Sequence, residues 1–360
     1  MHPDVTYSLK NMNVRTEISN NQVVRKRLFI ISVLIVLMVT LWFFSGGWFW
    51  GKPVRVESTQ ILMDTTFIVT VYAKDRKTGE QLIRDAFEEA RRIEHIMEPL
   101  KGDGELKRIN DSIHEGWYVM SPDLRAVMEQ SLKYYNLSGG VFDPTIAPVK
   151  WLWDFEDGGK VPSGDELKEK LKTVGMSLVE LHGDSLRFKN SGMRLDLGGV
   201  AKGYTVDRML DILRKEGSQS VLINAGGDID MFGKKPGDED WVIGLRHPRM
   251  NRTLILDTIP YPSVATSGDY ERYFVENGER YHHILDPTTG YPARGCISVT
   301  VWASSATLAD ILSTTIFVLG PGKGLAFAES LGHVETLIFF EKNGKVESAM
   351  TSGIKGKVRL

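Results

Sequence analysis

Apolar and polar positions divide the chain into one long apolar run and a series of short periodic segments. Leu28 to Phe44 is apolar except at Ser32 and Thr40. As a helix those 17 residues span roughly 26 Å, just short of a bilayer core, and Trp42, Trp48 and Trp50 extend the run with an aromatic belt. Lys10, Arg15, Arg25, Lys26 and Arg27 precede the run, whereas Lys52 and Arg55 alone lie close behind it. That excess predicts an N-terminus in the cytoplasm and a large domain outside the inner (cytoplasmic) membrane. The rival is a cleaved leader ending at Ser45-Gly46-Gly47, for which both the apolar run and the 27 residues before it are long. The favoured division is a cytoplasmic tail over residues 1–27, a transmembrane anchor over 28–50, a linker over 51–57 and one large domain over 58–360.

Within that domain, Phe67, Val69 and Val71 alternate with their neighbours, which predicts a strand over Gln60–Ala73. Leu82, Ala86, Ala90, Ile93 and Met97 recur at helical spacing and predict a helix over Thr78–Met97. Pro122–Leu137 reads as a second helix, with proline at its start and Gly139-Gly140 after its end. Val141–Val149 (VFDPTIAPV) carries two prolines and reads as a constrained loop; Trp151 and Trp153 come after it as core or lid aromatics. Asp165–Val174 reads as a short helix, and Leu178–Leu181 and Leu186–Phe188 as strands. A helix over Ala201–Gly217 and a strand over Ser220–Asn224 come next, then strands at Trp241–Leu245 and Thr253–Asp257. Asn277-Gly278 marks a hairpin between Tyr270–Glu276 and Arg280–Ile284, and Asn343-Gly344 marks another. Ile297–Ala303 is a strand, and Ala306–Val318 and Gly322–Leu331 are helices. Strands and helices come in mixed runs, which predicts an α+β domain and not a doubly wound sheet.

Charge and cysteine content narrow the chemistry. The net charge of −2, without a basic stripe, argues against a nucleic-acid partner. Cys296 is the only cysteine, so no internal disulfide forms, and no Cys/His cluster has zinc spacing.

Four stretches carry candidate chemistry. In DLGGVAKGYTVD, Asp196 to Asp207, a strand-end carboxylate is followed by Gly198-Gly199 and a helix start, where free N–H groups suit a phosphate. Lys202 in the first turn opposes the helix dipole, a conflict an anionic ligand would remove; the alternative is a plain turn with a surface lysine. Asp310 and Thr314 lie four apart, so their oxygens share one helix face and suit a hard cation such as Mg²⁺, unless Asp310 is merely exposed and Thr314 bonds its own backbone. HHILDPTTGYPA, His282 to Ala293, sets two histidines before two proline turns. SVATSGDYERYF, Ser263 to Phe274, lets a chain of small hydroxyl residues pass close to a ligand, or is an ordinary turn between strands. Ala225-Gly226-Gly227-Asp228 is a further glycine turn that ends in a carboxylate.

Together with GGVFDPT, Gly139 to Thr145, and ADILSTTIFVLG, Ala309 to Gly320, these motifs resemble the FAD:protein FMN transferase (ApbE) family from Met63 to about Gly320. The resemblance implies a T-fold-like mixed domain that holds FAD and Mg²⁺. It implies transfer of FMN to a threonine of a partner protein, with AMP released. The expected acceptor is an extracytoplasmic electron-transfer subunit. Carried over by motif position, Met63, Val141, Phe142 and Asp143 line the flavin site, and Asp196, Lys202 and Ile284 contact the dinucleotide. Gly199, Asp310 and Thr314 hold the metal, with Ser313 assisting. His283 matches the histidine assigned to the chemistry, with Asp228 as the other candidate base. Where the family shows Ser-x-aromatic, this chain has Met97-Glu98-Pro99-Leu100, so Leu100 occupies the place of a stacking aromatic. That departure bears on transfer against hydrolysis, so an FAD pyrophosphatase and a non-catalytic flavin-binding module stay as alternatives.

Overall fold

The structure, a computed structural model, describes residues 25–40, 53–112, 116–155, 157–256 and 261–359. Residues 25–40 are helical and exposed. They coincide with the first part of the expected anchor; residues 41–50, with the aromatic belt, and residues 1–24 of the tail lie outside the described residues. Among the described residues, Ala306–Leu331 is the helix long and apolar enough to cross a membrane, and half of its apolar window is buried inside the domain. It is a core helix by packing.

Residues 53–360 form a compact unit of their own. Its frame is an eight-stranded sheet: β1 (Val54–Leu62), β2 (Thr65–Ala73), β3 (Ser220–Ala225), β4 (Asp228–Phe232), β5 (Ser263–Gly268), β6 (Cys296–Ala303), β7 (Glu335–Lys342) and β8 (Lys345–Met350). They lie side by side in that order and every neighbouring pair is antiparallel. The long insertions between strands carry the helices. α3 (Ala201–Lys215) packs on both α1 (Arg76–Met97) and α4 (Ala306–Leu331), and all three pack on the same sheet face; α2 (Pro122–Leu137) packs on α1. Leu82, Ala86, Phe87 and Ala90 of α1 meet Val69 and Val71 of β2 and Ile223 of β3 in one core. The three-stranded sheet of Gly244–Arg246, Thr253–Leu256 and Val358–Arg359 belongs to the core on the opposite face, where Leu245 and Leu254 join Trp302 and Phe339. A β-bulge between Cys296 and Ser298 lets Cys296 and Val299, three residues apart, reach the same core.

The two predicted helices near the C-terminus are one unit broken at Gly320-Pro321, where Gly320 leaves the helical region (φ 78°, ψ 171°). Pro122–Leu137 keeps its predicted bounds, with Ser121 accepting from the Leu124 amide as N-cap.

Three expectations are corrected. The strand expected over Gln60–Ala73 is a hairpin, because Met63 and Asp64 both take positive φ (49° and 55°) and form a two-residue turn. Such turns normally advertise themselves with glycine or asparagine, and Met-Asp does not. The stretch read as linker through Glu57 is in the sheet from Val54 onward. Val141–Val149 is not wholly loop. Pro144 opens the short helical turn Pro144–Ile146 and Pro148 stands second in Ala147–Lys150, both in first turns where the missing N–H costs nothing. The alternative reading of Ser263–Phe274 as an ordinary turn gives way, since the stretch begins as central strand β5.

Candidate active site

A cleft of about 660 Å³ opens where the β1–β2 turn, the β3–β4 turn, the end of β5, the start of α3 and one face of α4 converge. The β3–β4 turn fits there because Gly226 and Gly227 both hold positive φ (62° and 106°), and a side chain on Gly226 would strike Thr65.

The glycine turn after Asp196 forms the cleft floor. A Cβ on Gly199 would stand 3.2 Å from Phe142 Cε2 and 3.4 Å from Thr314 Oγ1. A Cβ on Gly198 would stand 2.9 Å from Asp196 Oδ1 and 3.5 Å from Lys150 Nζ. Gly199 therefore faces Phe142 and Thr314, and Gly198 faces the Asp196–Lys150 ion pair.

Asp196 is fastened to this turn. Its Oδ1 accepts from the Gly198 amide at 2.8 Å and its Oδ2 accepts from Lys150 Nζ at 2.7 Å. Burial opposes ionisation, but the Lys150 charge and these bonds outweigh it and hold the carboxyl below its ordinary pKa. Asn110, from the short helix Glu105–Asp111, fixes the preceding residue. It donates to the Leu195 carbonyl at 2.9 Å and accepts from the Leu195 amide at 2.8 Å.

Lys202 resolves its conflict with the helix dipole inside the protein. Its Nζ lies 2.7 Å from Asp228 Oδ2 and 3.3 Å from Asp310 Oδ1. The first contact is the closer ion pair. Burial disfavours the ammonium, yet the two carboxylates raise its pKa well above the usual lysine value. The first turn of α3 does bind an anion, and that anion is Asp310: the Gly203 amide donates to Asp310 Oδ2 at 3.1 Å. Asp310 is buried, not exposed.

The cleft gathers most of the residues singled out from the sequence. Met63, Leu100, Val141, Phe142 and Asp143 line one part of it, and Asp196, Gly199 and Lys202 line the floor. His283, Ile284, Asp310 and Thr314 complete that set. Burial pushes the Asp143 pKa up to about 6, against bonds from the Thr145 amide and hydroxyl. Met63 is locked in its turn by a hydrogen bond from its amide to the Glu94 carboxylate. Leu100 stands exposed at the rim, on a turn where the Glu98 carboxylate accepts from the Leu100 and Lys101 amides.

Two expected site residues stand behind the cleft surface. Asp228 is buried under Lys202, and its pKa is pushed up by burial and by the charge of Asp310. Its position makes it the counter-ion of Lys202, not a base open to the cleft. Ser313 is also buried; it donates to the Asp310 carbonyl and sits 2.9 Å from Ser267 Oγ. Ser267 in turn lies 3.4 Å from Thr314 Oγ1 and lines the cleft itself.

The histidines divide their roles. His282 is buried, with Nε2 on the Ala293 carbonyl at 2.9 Å and its ring edge-on to Phe317. Half-buried His283 donates from Nδ1 to the Arg272 carbonyl at 3.2 Å, which leaves Nε2 as the unprotonated nitrogen. Burial, with the charges of Lys150 and Arg272, holds its pKa well below 6.5, so the ring is neutral at pH 7.

Among the described residues, no group of three or more His, Cys, Asp or Glu side chains gathers to hold a metal. A cation bound here would have one carboxylate, Asp310, with the Thr314 hydroxyl and the Gly199 carbonyl as the oxygens that could join it. Those are hard oxygen donors of the kind Mg²⁺ takes, and Gly199, Asp310 and Thr314 all line the cleft.

Lys150, Glu94 and Asn110 belong to none of the motifs, yet they hold Asp196, Met63 and Leu195 in place. Lys150 carries one signal in the chain, as a lone cation directly after the two-proline run and before Trp-Leu-Trp.

The ApbE family profile matches residues 63–338. The chain belongs to the ApbE family. It is 32% identical to the FAD:protein FMN transferase of Treponema pallidum over 334 residues, covering 86% of this chain and 91% of that protein. The Vibrio cholerae protein of the same name is 31% identical over 262 residues, 71% of this chain and 78% of its own length. Among solved structures, the ApbE protein of Thermotoga maritima superposes with a TM-score of 0.76 at 33% identity, covering 85% of this chain and all of that one. The flavin transferase ApbE of Vibrio cholerae superposes with a TM-score of 0.76 at 27% identity, covering 84% of this chain and 99% of its own. The mixed α/β domain described above is thus the ApbE fold.

Proposed function

We propose that this ApbE-family chain is an FAD:protein FMN transferase. FMN moves from FAD to a threonine hydroxyl of an acceptor protein, and AMP leaves. The observation that carries the reading is the glycine turn lining the cleft, where Gly199 packs against both Phe142 and Thr314. An aromatic wall for a flavin and an oxygen cluster for a phosphate-bound cation meet there at one point.

Gly199, Asp310 and Thr314 are the residues that would hold Mg²⁺, which when bound supplies polarisation of phosphate oxygens. Lys202 holds Asp310 in place and keeps its negative charge tolerable in a buried setting. The acceptor hydroxyl is a poor nucleophile at neutral pH. His283, neutral and with Nε2 free of the Arg272 bond, takes its proton as the phosphoester forms.

A second reading is hydrolysis of FAD to FMN and AMP. It is favoured by Leu100, which leaves the rim without an aromatic ring at that position. Incubation with FAD, Mg²⁺ and a candidate acceptor separates the two. Flavin fluorescence on the acceptor band in a denaturing gel supports transfer, and free FMN with AMP supports hydrolysis. Intact FAD after incubation overturns both in favour of a binding module.

We also place the apolar run 28–50 in the inner membrane, with the catalytic domain outside and an extracytoplasmic electron-transfer subunit as acceptor. The asymmetry of basic residues around the run supports this orientation. Proteolysis of the domain in intact spheroplasts is the expected result; protection from the protease overturns it.

A further inference from the structure

Lys202 is the internal counter-ion of a buried acidic pair. Asp228 comes from β4 and Asp310 from α4, and both are buried. Lys202 Nζ bridges them, at 2.7 Å from Asp228 Oδ2 and 3.3 Å from Asp310 Oδ1. Among the described residues, neither carboxylate forms an ion pair with any other cation. The lysine also lines the cleft, as do Asp310 and Glu271, a third carboxylate whose ionisation the Lys202 charge favours. Asp310 itself is fully engaged: its Oδ2 accepts from the Gly203 amide at 3.1 Å, and its Oδ1 accepts from Lys202.

One carboxylate therefore faces two claims. A divalent ion on Asp310 meets an ammonium already on the same group, and like charges that close repel strongly where little water screens them. The repulsion falls when an anion lies against the pair, and a diphosphate brings at least two negative charges. We infer that Lys202 is a built-in competitor of the divalent ion at Asp310, so that the protein takes the ion weakly by itself and firmly only together with a nucleotide diphosphate. This rests on the reading that gives Mg²⁺ to Gly199, Asp310 and Thr314. Lys202 keeps Asp228, its closer partner, whichever cation Asp310 holds. Ion and FAD are then linked ligands, each raising the affinity of the other. A lysine that only positioned Asp310 has the opposite signature, because its loss would weaken the hold on the ion.

The test uses the full-length protein in detergent with Mn²⁺ as the ion, and free Mn²⁺ is read by electron paramagnetic resonance. Without nucleotide, Lys202→Met is expected to bind Mn²⁺ at least about fivefold more tightly than wild type. FAD, with no acceptor present, is expected to tighten Mn²⁺ binding about tenfold or more in wild type and distinctly less in the variant. Lys202→Met is also expected to melt below wild type in the presence of a chelator, since two buried carboxylates lose their counter-ion, and to recover with Mn²⁺. The double variant Lys202→Met/Asp228→Asn keeps the charge balance and guards against a folding defect; it too is expected to bind Mn²⁺ more tightly than wild type. Adding Asp310→Asn to Lys202→Met is expected to abolish the gain. Mn²⁺ binding no tighter than wild type in both Lys202→Met and the double variant, or a gain that survives the loss of Asp310, overturns the inference. A wild-type protein that binds Mn²⁺ neither alone nor with FAD overturns the assignment of Mg²⁺ to this cleft instead.

Discussion

The Gly203 amide donates to Asp310 Oδ2 at 3.1 Å, joining the first turn of α3 to the inner face of α4. The same contact requires a bare backbone. A Cβ on Gly203 would lie 2.3 Å from the Ala306 carbonyl oxygen, so the two helices could not approach. Gly203→Ala is therefore expected to cost about 1–3 kcal/mol, the range for overpacking. It is also expected to cut transfer sharply by moving Asp310 off Lys202. Urea unfolding and an FMN-transfer assay on the same preparation check both effects.

Asn110 satisfies both backbone groups of Leu195, the residue before Asp196. Replacing it with alanine leaves a buried N–H and C=O without partners. Asn110→Ala is expected to lose about 2 kcal/mol of stability and to weaken FAD binding through displacement of Asp196. Equilibrium denaturation and an FAD titration measure the two losses; an unchanged FAD affinity would show that the Asp196 turn holds without this support.

Asp230 gives a pH dependence with a definite sign. It is a buried residue of β4, and burial with the charge of Asp207 raises its pKa to about 7. Between its unfolded value and that one, the folded chain holds a proton that the unfolded chain has released. Stability contributed by this group is present at low pH and is lost as pH rises toward 7, by about 4 kcal/mol at most. Asp230→Asn removes the penalty while keeping an oxygen for the Met231 amide. The variant is expected to melt higher than wild type at pH 8, with the gap closing by pH 5. Thermal melts at the two pH values decide it.

His283 is neutral throughout the physiological range because its pKa is driven down. The transfer rate is expected to show no inflection from this group between pH 6 and 8. His283→Gln is expected to lose about a hundredfold or more in rate, the usual scale for a general base, with FAD binding kept. A pH–rate profile and an FAD titration on the variant give the measurement. Loss of binding along with rate would mark His283 as a substrate contact in place of a base.

Much of this was legible in the chain itself. Helix α2 kept its predicted bounds because proline at the start and glycines beyond the end are local signals. The break at Gly320-Pro321 was readable for the same reason. The site motifs were legible as separate stretches, since glycine turns and closely spaced polar residues show in one dimension. The β1–β2 turn was missed because Met63 and Asp64 adopt positive φ against their own preference, held by Glu94 from α1. Asn110 and Lys150 were missed because their partners lie 85 and 46 residues away.

By itself, the order of residues determined the α+β class, the helix carrying Asp310 and Thr314, and the glycine turn after Asp196. These arise from periodicity and turn chemistry, which act over a few residues. Only the tertiary structure decided that Lys202 is neutralised by Asp228 and Asp310, that Asp228 and Ser313 stand behind the cleft, and that Trp151 faces it while Trp153 does not. Charge pairing and burial depend on which distant segments meet. That is set by the packing of α3 and α4 over the sheet and not by any local preference of the residues involved.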